Sequence, residues 1–315
     1  MSLKQISKLL SSFLLFSFAC TQIKEEPRSI TFAVCTDVHK DIMHDADERL
    51  QAFVDSASNE KVDFIIQLGD FCLPKPENKH FLSIFDSFKG DKYHVLGNHD
   101  LDSGYTRRDN LKFWNRTESY YSFDKNNFHF IVLDANDTTV PPQKGYAHYV
   151  GTGQIEWLKN DVESTDLPII VFSHQSLFDP FGTENDSIIR RIFEAENLKK
   201  GQNKIIACFN GHTHIDNYQK IGGIWYFELN SMSYYWLGKD YAHIRYGNET
   251  DKKYPSIKYT APYKKPLFAI VNINSKREIN IKGQKTEWIG PSPKELNFNR
   301  PGYEGMVKPE ISDFY

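Results

Sequence analysis

The chain has 315 residues, 40% of them hydrophobic and 14% aromatic, which is enough to build a core in one large α/β domain or two small ones. Its formal net charge of -3 gives no basic footprint for nucleic acid. Phosphate chemistry is not excluded by this charge, because bound metal ions supply local positive charge.

The first residues are typical of an export signal. Lys4 and Lys8 precede an apolar run, residues 9–19, that is too short to span a bilayer. Cys20 comes directly after this run. The arrangement resembles a bacterial lipoprotein signal, in which such a cysteine becomes the lipidated first residue.

We therefore expect residues 1–19 to be a signal peptide and the polar residues 20–29 to be a tether. The predicted location is the cell envelope, on the periplasmic side or the outer-membrane face, with the lipid on Cys20 as the membrane contact. Ser17 stands where lipoprotein signals usually have leucine. Ordinary cleavage after Ala19, giving a secreted soluble protein, is the alternative.

Three further cysteines, Cys35, Cys72 and Cys208, are too few and too scattered for a disulfide framework. Two of them sit in apolar runs, where cysteine usually behaves as a small buried hydrophobe. No pair is spaced as CxxC, so we do not expect a thiolate zinc site.

Apolar runs that alternate with helical patterns follow in chain order. Strands are predicted at residues 30–35, 62–68, 93–96, 128–133, 167–172, 204–209 and 224–229. Helices are predicted at residues 47–57 and 80–88, from an N-cap at Thr152, and around residues 188–193. This alternation indicates strands that are covered on both faces.

Five of these strands end in residues that bind metals or move protons. They are followed by Asp37 and His39, by Asp70, by Asn98, His99 and Asp100, by His174, and by His212 and His214. Any one of them alone would be a solvated loop residue or a satisfied histidine. Because ligands bind beyond the carboxyl ends of parallel strands, their recurrence at five strand ends predicts one shared site.

The C-terminal part is predicted to complete the domain. Residues 267–272 and 278–282 form a β-hairpin pattern, so the domain should span residues 30–285. The segment 286–315 is rich in Pro, Gly and Asn and is expected to form an extension along the surface.

Together these blocks resemble the signature of the calcineurin-like metallophosphoesterases, in the same order. The blocks are Asp37-Val38-His39, Gly69-Asp70, Gly97-Asn98-His99-Asp100, His174 and Gly211-His212-Thr213-His214. The resemblance implies a four-layer αββα sandwich with two mixed β-sheets. The acidic or amide residue that the family usually has a few positions after its second block is not evident here, where the chain reads Phe71-Cys72-Leu73.

The resemblance also implies a centre of two divalent or trivalent metal ions. Asp37, His39, Asp70 and His214 would bind one ion, and Asp70, Asn98, His174 and His212 the other. Oxygen and imidazole ligands suit Zn, Mn or Fe without selecting among them. Two ions at such a centre hold a hydroxide that attacks the phosphorus of a phosphate ester.

By the same resemblance, His99 would be catalytic instead of a ligand, donating a proton to the leaving oxygen or stabilising the transition state. Asp100 would orient the His99 imidazole. The implied activity is hydrolysis of a phosphate mono- or diester on a phosphorylated small molecule or nucleotide. A nucleotide pyrophosphatase or cyclic phosphodiesterase on the same site, and a non-catalytic scaffold on the same fold, are the alternatives.

Some residues near the predicted site have no assigned role. Arg107 and Arg108 fit a substrate phosphate or a solvated helix start, and Asn136 fits the site or a turn. Tyr234 and Trp236 fit either a stacking surface for a base or sugar or a cover for the core. The sequence predicts no oligomeric state.

Overall fold

The computed structural model describes residues 28–142, 144–200 and 203–315. Its strands are Ile30–Cys35 (β1), Phe64–Gln67 (β2), Asp91–His94 (β3), Tyr121–Lys125 (β4), Phe128–Val132 (β5), Ile169–Phe172 (β6), Ile205–Asn210 (β7), Asn217–Ile221 (β8), Ile224–Glu228 (β9), Tyr234–Trp236 (β10), Thr260–Pro262 (β11), Ala269–Ile273 (β12), Ile279–Lys282 (β13), Gln284–Lys285 (β14) and Glu310–Ile311 (β15). Its α-helices are Ala46–Asn59 (α1), Lys79–Asp86 (α2), Arg107–Phe113 (α3), Thr152–Ser164 (α4), Asp186–Lys200 (α5) and Asn248–Lys253 (α6). Short 3-10 helices lie at Pro76–Asn78, His99–Gly104, Lys239–Tyr241 and Ile257–Tyr259.

The predicted signal peptide, Cys20 and the tether up to residue 27 lie outside the described residues. Within the described ranges, no helix combines the length and the apolar character needed to cross a bilayer.

Two large mixed sheets form the body of the protein. The first has the order β13-β12-β1-β2-β3, in which β1, β2 and β3 run parallel and the β12–β13 hairpin is antiparallel. The second has the order β4-β5-β6-β7-β9-β8, in which β5, β6, β7 and β9 are parallel and the two edge strands are antiparallel. The predicted C-terminal hairpin is therefore the outer edge of the first sheet.

The alternation of side chains along the strands places one core between the sheets and one core on each outer face. On β1, Phe32 faces the central core, where its ring lies 4.9 Å from that of Phe64 and 5.6 Å from that of Phe172. Ala33 faces outward, into the core that α1 and α2 cover. Helices α4 and α5 cover the second sheet in the same way. The predicted four-layer αββα sandwich is confirmed.

The C-terminal segment does more than follow the surface. Strand β15 pairs with β14, and Ile311 is buried in the central core between the sheets. Phe314 packs against the same core, with its ring 5.0 Å from that of Phe227. This part of the expected surface extension is therefore corrected, because burying large apolar side chains stabilises the folded state. The boundary at residue 285 stays a prediction.

Other differences from the sequence prediction are local. Helix α4 begins one residue earlier than expected, because Gly151, and not Thr152, is the N-cap and its carbonyl accepts the first helical hydrogen bond, from Ile155 N. Strands β4 and β8 were not predicted. Both are edge strands, and β8 is largely exposed, so neither carries the apolar run of a buried strand.

Candidate metal centre

The predicted ligands meet at one edge of the sandwich, where parallel strands of both sheets end. Strands β1, β2 and β3 lead into Asp37 and His39, Asp70, and Asn98, and strands β6 and β7 lead into His174, His212 and His214. The ligand atoms of six of these residues form two groups, each within 4.8 Å. The groups are Asp37, His39 and His214, and Asp70, His174 and His212.

In the first group the polar atoms converge on a small volume. His214 Nε2 lies 3.0 Å from Asp37 Oδ1 and 3.3 Å from His39 Nε2. The distance between His39 Nε2 and Asp37 Oδ1 is 3.7 Å. The other Asp37 oxygen is held from behind, because Oδ2 accepts hydrogen bonds from Thr36 Oγ1 at 2.5 Å and from the backbone N–H of His212 at 3.0 Å.

Asp70 belongs to the second group and also reaches the first. Its Oδ2 atom lies 3.2 Å from His174 Nε2 in its own group and 3.6 Å from His39 Nε2 in the other. Its Oδ1 atom accepts a hydrogen bond from the backbone N–H of His99. One carboxylate oxygen therefore lies where two bound ions could share it.

One buried polar side chain at the site has no hydrogen-bond partner among the described residues, which favours a bound metal ion there. Asn98 is 3% exposed, yet neither its Oδ1 nor its Nδ2 atom has a hydrogen-bond partner among the described residues. Buried polar side chains nearly always have a partner, so an ion is the natural one for Asn98 Oδ1. If Asn98 binds an ion, its neutral amide leaves more positive charge on the centre than a third carboxylate would.

Backbone carbonyls fix the tautomer of two of the histidines. His174 Nδ1 lies 2.8 Å from Leu68 O, and His214 Nδ1 lies 2.8 Å from Tyr234 O. A ring nitrogen that donates to a carbonyl leaves the lone pair of its Nε2 atom free, and this arrangement is common around metal-binding imidazoles. Both Nε2 atoms point into the groups described above.

Burial and charge act strongly on the ionisable ligands. Burial raises the pKa of Asp37, but His214 and His174 outweigh burial and hold this pKa well below its usual range. Burial lowers the pKa of His174, but Asp70 and Asp37 raise it to about 10. Burial and the charge of His174 lower the pKa of His212 to about 3. An ion bound at His174 would displace a proton, so metal affinity should fall in acid.

The local backbone is unusual at five of the ligands. Each has a positive φ, between 50° and 71°, in the left-handed region that non-glycine residues seldom occupy. These five are Asp37, His39, Asp70, His212 and His214. A left-handed residue just past a strand turns the chain sharply, so that closely spaced ligands point into one site.

Two glycines allow the strand ends to approach each other. A Cβ atom on Gly97 would lie 2.1 Å from Asp70 N and 2.3 Å from Asp70 Oδ1. Gly69 has a φ of +104°, and a Cβ atom there would lie 2.6 Å from His174 Nδ1. Both positions therefore require glycine if Asp70 is to lie between the two groups.

The family follows from a comparison of the whole sequence. A family model for calcineurin-like phosphoesterases matches residues 30–216, which is more than half of the chain and includes all seven proposed ligands. The chain belongs to the calcineurin-like phosphoesterase family. No curated protein in the comparison matches the chain.

Solved structures share the phosphoesterase fold at low sequence identity. A dimetal phosphatase from Danio rerio superimposes with a TM-score of 0.60 and 16% identity, covering 84% of this chain and 99% of its own. GAP50, described as the anchor in the inner membrane complex of Plasmodium, superimposes with a TM-score of 0.51 and 14% identity, covering 83% of this chain and 89% of its own. At these identities the likeness concerns the fold alone.

The contacts of His99 differ from the prediction in one respect. His99 Nδ1 lies 2.6 Å from Asp102 Oδ2, not against Asp100. Burial lowers the pKa of His99, but Asp70 and Asp102 raise it to about 9. With Nδ1 directed at Asp102, Nε2 is the atom that remains for a substrate.

The expected contact between Asp100 and His99 is therefore corrected. Asp100 is fully buried, and its Oδ1 accepts hydrogen bonds from the backbone N–H groups of Phe71 and Cys72, at 2.8 and 3.1 Å. Its Oδ2 accepts one from Gly97 N at 2.8 Å. Asp100 thus ties the loop after β3 to the loop after β2. Asp102 was missed although it lies three residues after His99 in a 3-10 helix, a spacing that brings two side chains onto the same face.

A cavity of about 470 Å³ opens over both ligand groups. It is lined by His39, Ile42, Asp70, Asn98, His99, Asp102, Tyr146, His212, Thr213, His214, Tyr234, Tyr235, Trp236, Ser256 and Arg300. Tyr146 and Arg300 were not predicted. The Tyr146 hydroxyl lies 3.3 Å from His99 Nδ1, and Arg300 comes from the C-terminal segment. Neither residue lies in a motif, so only the fold could reveal them.

The residues left without a role are now placed. Arg107 begins α3 and pairs with Asp134 at 2.5 Å and Asp137 at 2.8 Å, so its charge is already neutralised. Asn136 is buried and donates to Leu96 O. Arg108, Arg107 and Asn136 are not among the residues that line the cavity. Tyr234 is buried in its wall, whereas Trp236 is 44% exposed there.

Proposed function

We propose that the protein is a dinuclear-metal phosphoesterase that hydrolyses a phosphate mono- or diester without a covalent enzyme intermediate. The observation that carries the proposal is the position of Asp70 Oδ2, 3.2 Å from a histidine of one ligand group and 3.6 Å from a histidine of the other. A carboxylate in this position suits two ions at the short separation that dinuclear hydrolases use.

Asp37, His39, Asp70 and His214 would hold one ion, and Asp70, Asn98, His174 and His212 the other. Two ions, when bound, supply a nucleophile from water at neutral pH and positive charge beside the phosphoryl oxygens. The ligand set suits Zn, Mn or Fe. The buried Leu68 and Tyr234 carbonyls that hold two of the imidazoles keep their orientation fixed.

His99 would donate a proton from Nε2 to the leaving oxygen. Asp102, 2.6 Å from Nδ1, would orient the ring and favour its charged form. The hydroxyl of Tyr146 lies close to both, 3.4 Å from Asp102 Oδ2. Protonation matters most for alkoxide leaving groups, which are poor without it.

Replacement of Asp70 by asparagine tests the proposal. The Asp70→Asn variant should lose most of its bound metal and its turnover of 4-nitrophenyl phosphate, measured by elemental analysis and by nitrophenol release. Asp55→Asn is the matched control, because Asp55 is exposed on α1 and bonds only Gln51 among the described residues. Wild-type activity in the Asp70→Asn variant would contradict the proposal. Wild-type protein that takes up no metal in metal-rich medium would favour a non-catalytic scaffold.

The substrate class is the next question. Monoesterase, cyclic phosphodiesterase and nucleotide pyrophosphatase activities all use the same two-ion centre. A panel of monoesters, cyclic and linear diesters and pyrophosphates, assayed with Zn, Mn and Fe, separates them. We expect the highest kcat/KM for one class, and equal values for all would contradict a dedicated substrate.

We further propose that the protein is exported and carries its lipid on Cys20. The support is the sequence of residues 1–20 alone. In a bacterial host, wild-type protein should fractionate with membranes and incorporate labelled fatty acid, and Cys20→Ala should do neither. A soluble wild-type protein cleaved after Ala19 would contradict this.

A further inference from the structure

The lining of the cavity contains an arginine, Arg300, in addition to the proposed ligands. Among the described residues that line the cavity, Arg300 is the one arginine or lysine. It is half-buried and lies in the C-terminal segment, far in sequence from every ligand.

Aromatic rings hold the Arg300 guanidinium in place. Its central carbon lies 4.3 Å from the centre of the Tyr303 ring and 4.7 Å from that of Phe181. Its Nη1 atom lies 3.5 Å from the hydroxyl of Tyr235, which also lines the cavity. An arginine packed against rings keeps its N–H edge available for hydrogen bonds while losing little further freedom on binding.

The support beneath Arg300 is itself rigid. Tyr303 is 3% exposed, and its hydroxyl donates a hydrogen bond of 2.6 Å to Asp179 Oδ1. Asp179 also accepts from the backbone N–H of Phe181. Asp179 therefore fixes the Tyr303 ring through its hydroxyl and the backbone at Phe181, and both residues contact the guanidinium.

Arg300 has no carboxylate partner within ion-pair distance among the described residues. Arg107 and Arg49 differ from it, because Arg107 pairs with Asp134 and Asp137 and Arg49 pairs with Asp45 at 2.7 Å. A partly desolvated, pre-oriented guanidinium without a counter-ion favours an anionic group that presents two oxygens to it, such as phosphate or carboxylate.

The cavity is large enough for a substrate with a second anionic group. Its volume, about 470 Å³, lies within the range of roughly 300–1,000 Å³ that holds drug-sized ligands. Trp236, which also lines the cavity, offers an exposed apolar face for the part of the substrate between the two charges.

We propose that Arg300 is a specificity residue that binds a second phosphate or carboxylate on the substrate, so that the preferred substrates are phosphate esters with two anionic ends. This inference rests on the proposed function, because it assumes that one end is the phosphate hydrolysed at the metal centre. The C-terminal segment is then part of the substrate site.

The test is a ratio of kcat/KM values measured on matched substrates. Monophosphates of linear alcohols with two to six carbons are compared with the corresponding diol bisphosphates and ω-carboxyalkyl phosphates, by release of inorganic phosphate. Wild-type protein should prefer the doubly anionic substrates of one length by about 10- to 100-fold, the value of a charge-assisted bidentate contact. The bisphosphate and carboxylate series show which anion is preferred.

Arg300→Gln should reduce this ratio to about one, mainly through KM of the doubly anionic substrate. Arg300→Lys keeps the charge without the planar fork and should give an intermediate ratio. Arg191→Gln, an exposed position on α5 outside the cavity, removes the same charge and should keep the wild-type ratio. A wild-type ratio in Arg300→Gln, or an equal fall in Arg191→Gln, would overturn the inference.

Binding separates a failure of the inference from a failure of the proposed function. Alkane bisphosphonates and monophosphonates, which resist hydrolysis, are titrated calorimetrically into metal-loaded wild-type protein and Arg300→Gln. An inactive wild-type protein that still binds the bisphosphonate through Arg300 overturns the proposed activity and supports the Arg300 site. Equal binding of both ligands by both proteins overturns the site whatever the activity.

Discussion

The backbone N–H of His99 donates a 2.8 Å hydrogen bond to Asp70 Oδ1. The other oxygen of Asp70 faces both ligand groups, so the proposed proton donor is anchored to the proposed shared ligand through its main chain. Because this bond does not involve the imidazole, the side chain of His99 can be changed without releasing Asp70. The two roles can therefore be separated by mutation.

His99→Asn should retain its metals and lose turnover in a way that depends on the leaving group. For alkyl phosphates, kcat should fall by roughly 10²–10⁴-fold, the usual contribution of general acid catalysis. Esters of nitrophenol need little protonation and should lose less. The measurement is kcat across a leaving-group series, with metal content as the control. An equal loss across the series would indicate electrostatic stabilisation of the phosphoryl group instead, and loss of metal would make His99 a ligand.

Asp102 and Asp100 should give opposite results when each is changed to asparagine. Asp102→Asn removes the charged partner of His99 Nδ1 and should lower turnover by about 10–100-fold, with little change in the free energy of unfolding. Asp100 accepts three backbone N–H groups, so an amide there places an NH₂ against at least one donor. Asp100→Asn should therefore destabilise the fold by about 1–3 kcal/mol.

Urea unfolding and kcat of both variants, measured side by side, check this pair of predictions. The assignment of the two aspartates would be reversed if Asp100→Asn were as stable as wild type but slow, while Asp102→Asn unfolded early.

Gly97→Ala should damage the centre although alanine adds a single methyl group. The new Cβ atom would lie 2.1 Å from Asp70 N, where backbone atoms must shift to make room. We expect a loss of metal content and a fall in stability of about 1–3 kcal/mol. Gly153→Ala on α4 is the matched control, because a Cβ atom there meets nothing within 4 Å. It should be neutral or stabilise the helix by up to about 1 kcal/mol. Equal behaviour of the two variants would contradict the close approach at Gly97.

His129 should make the stability of the fold depend on pH. Burial lowers its pKa, but its contacts with Asp161 at 2.9 Å and Asp124 at 2.6 Å outweigh burial and raise the pKa overall. A raised folded-state pKa means that this contribution is complete below about pH 6.5 and disappears as the pH rises through the folded value.

The free energy of unfolding, measured in urea from pH 5.5 to 9, should therefore lose this contribution on the alkaline side. In His129→Gln, the fall in the free energy of unfolding at alkaline pH should be smaller than in the wild type. In His80→Gln, at an exposed position on α2, the fall should be unchanged. The same fall in the free energy of unfolding at alkaline pH in all three proteins would show that His129 does not contribute to it.

The features that could be predicted from the sequence are those that depend on residues close together in the chain. Buried strands such as β1 are continuous apolar runs, and a polar residue directly after such a run must lie at the sheet edge. Asp37, Asp70 and His174 could be found in this way. Edge strands such as β8 escaped detection because half-solvated strands need no apolar run.

The outer half of the cavity could not be found from local pattern. Asp102 is the exception, because it lies three residues after His99 in one 3-10 helix and this spacing alone could have indicated the contact. Arg300 reaches the cavity because the C-terminal segment packs back on Tyr303 and its neighbours. Contacts between residues far apart in sequence depend on packing, which periodicity does not encode.

The five left-handed ligands have a consequence for how this protein could change over time. The backbone strain is about 1–2 kcal/mol for each of the histidines among them, and the proposed metal ions would compensate for it. A lineage that abandoned catalysis would gain stability by substituting glycine at His39 and His212, whose backbones are left-handed. In such a lineage, substitutions should therefore appear first at the ligand positions. The αββα sandwich would remain folded after the catalytic activity was lost.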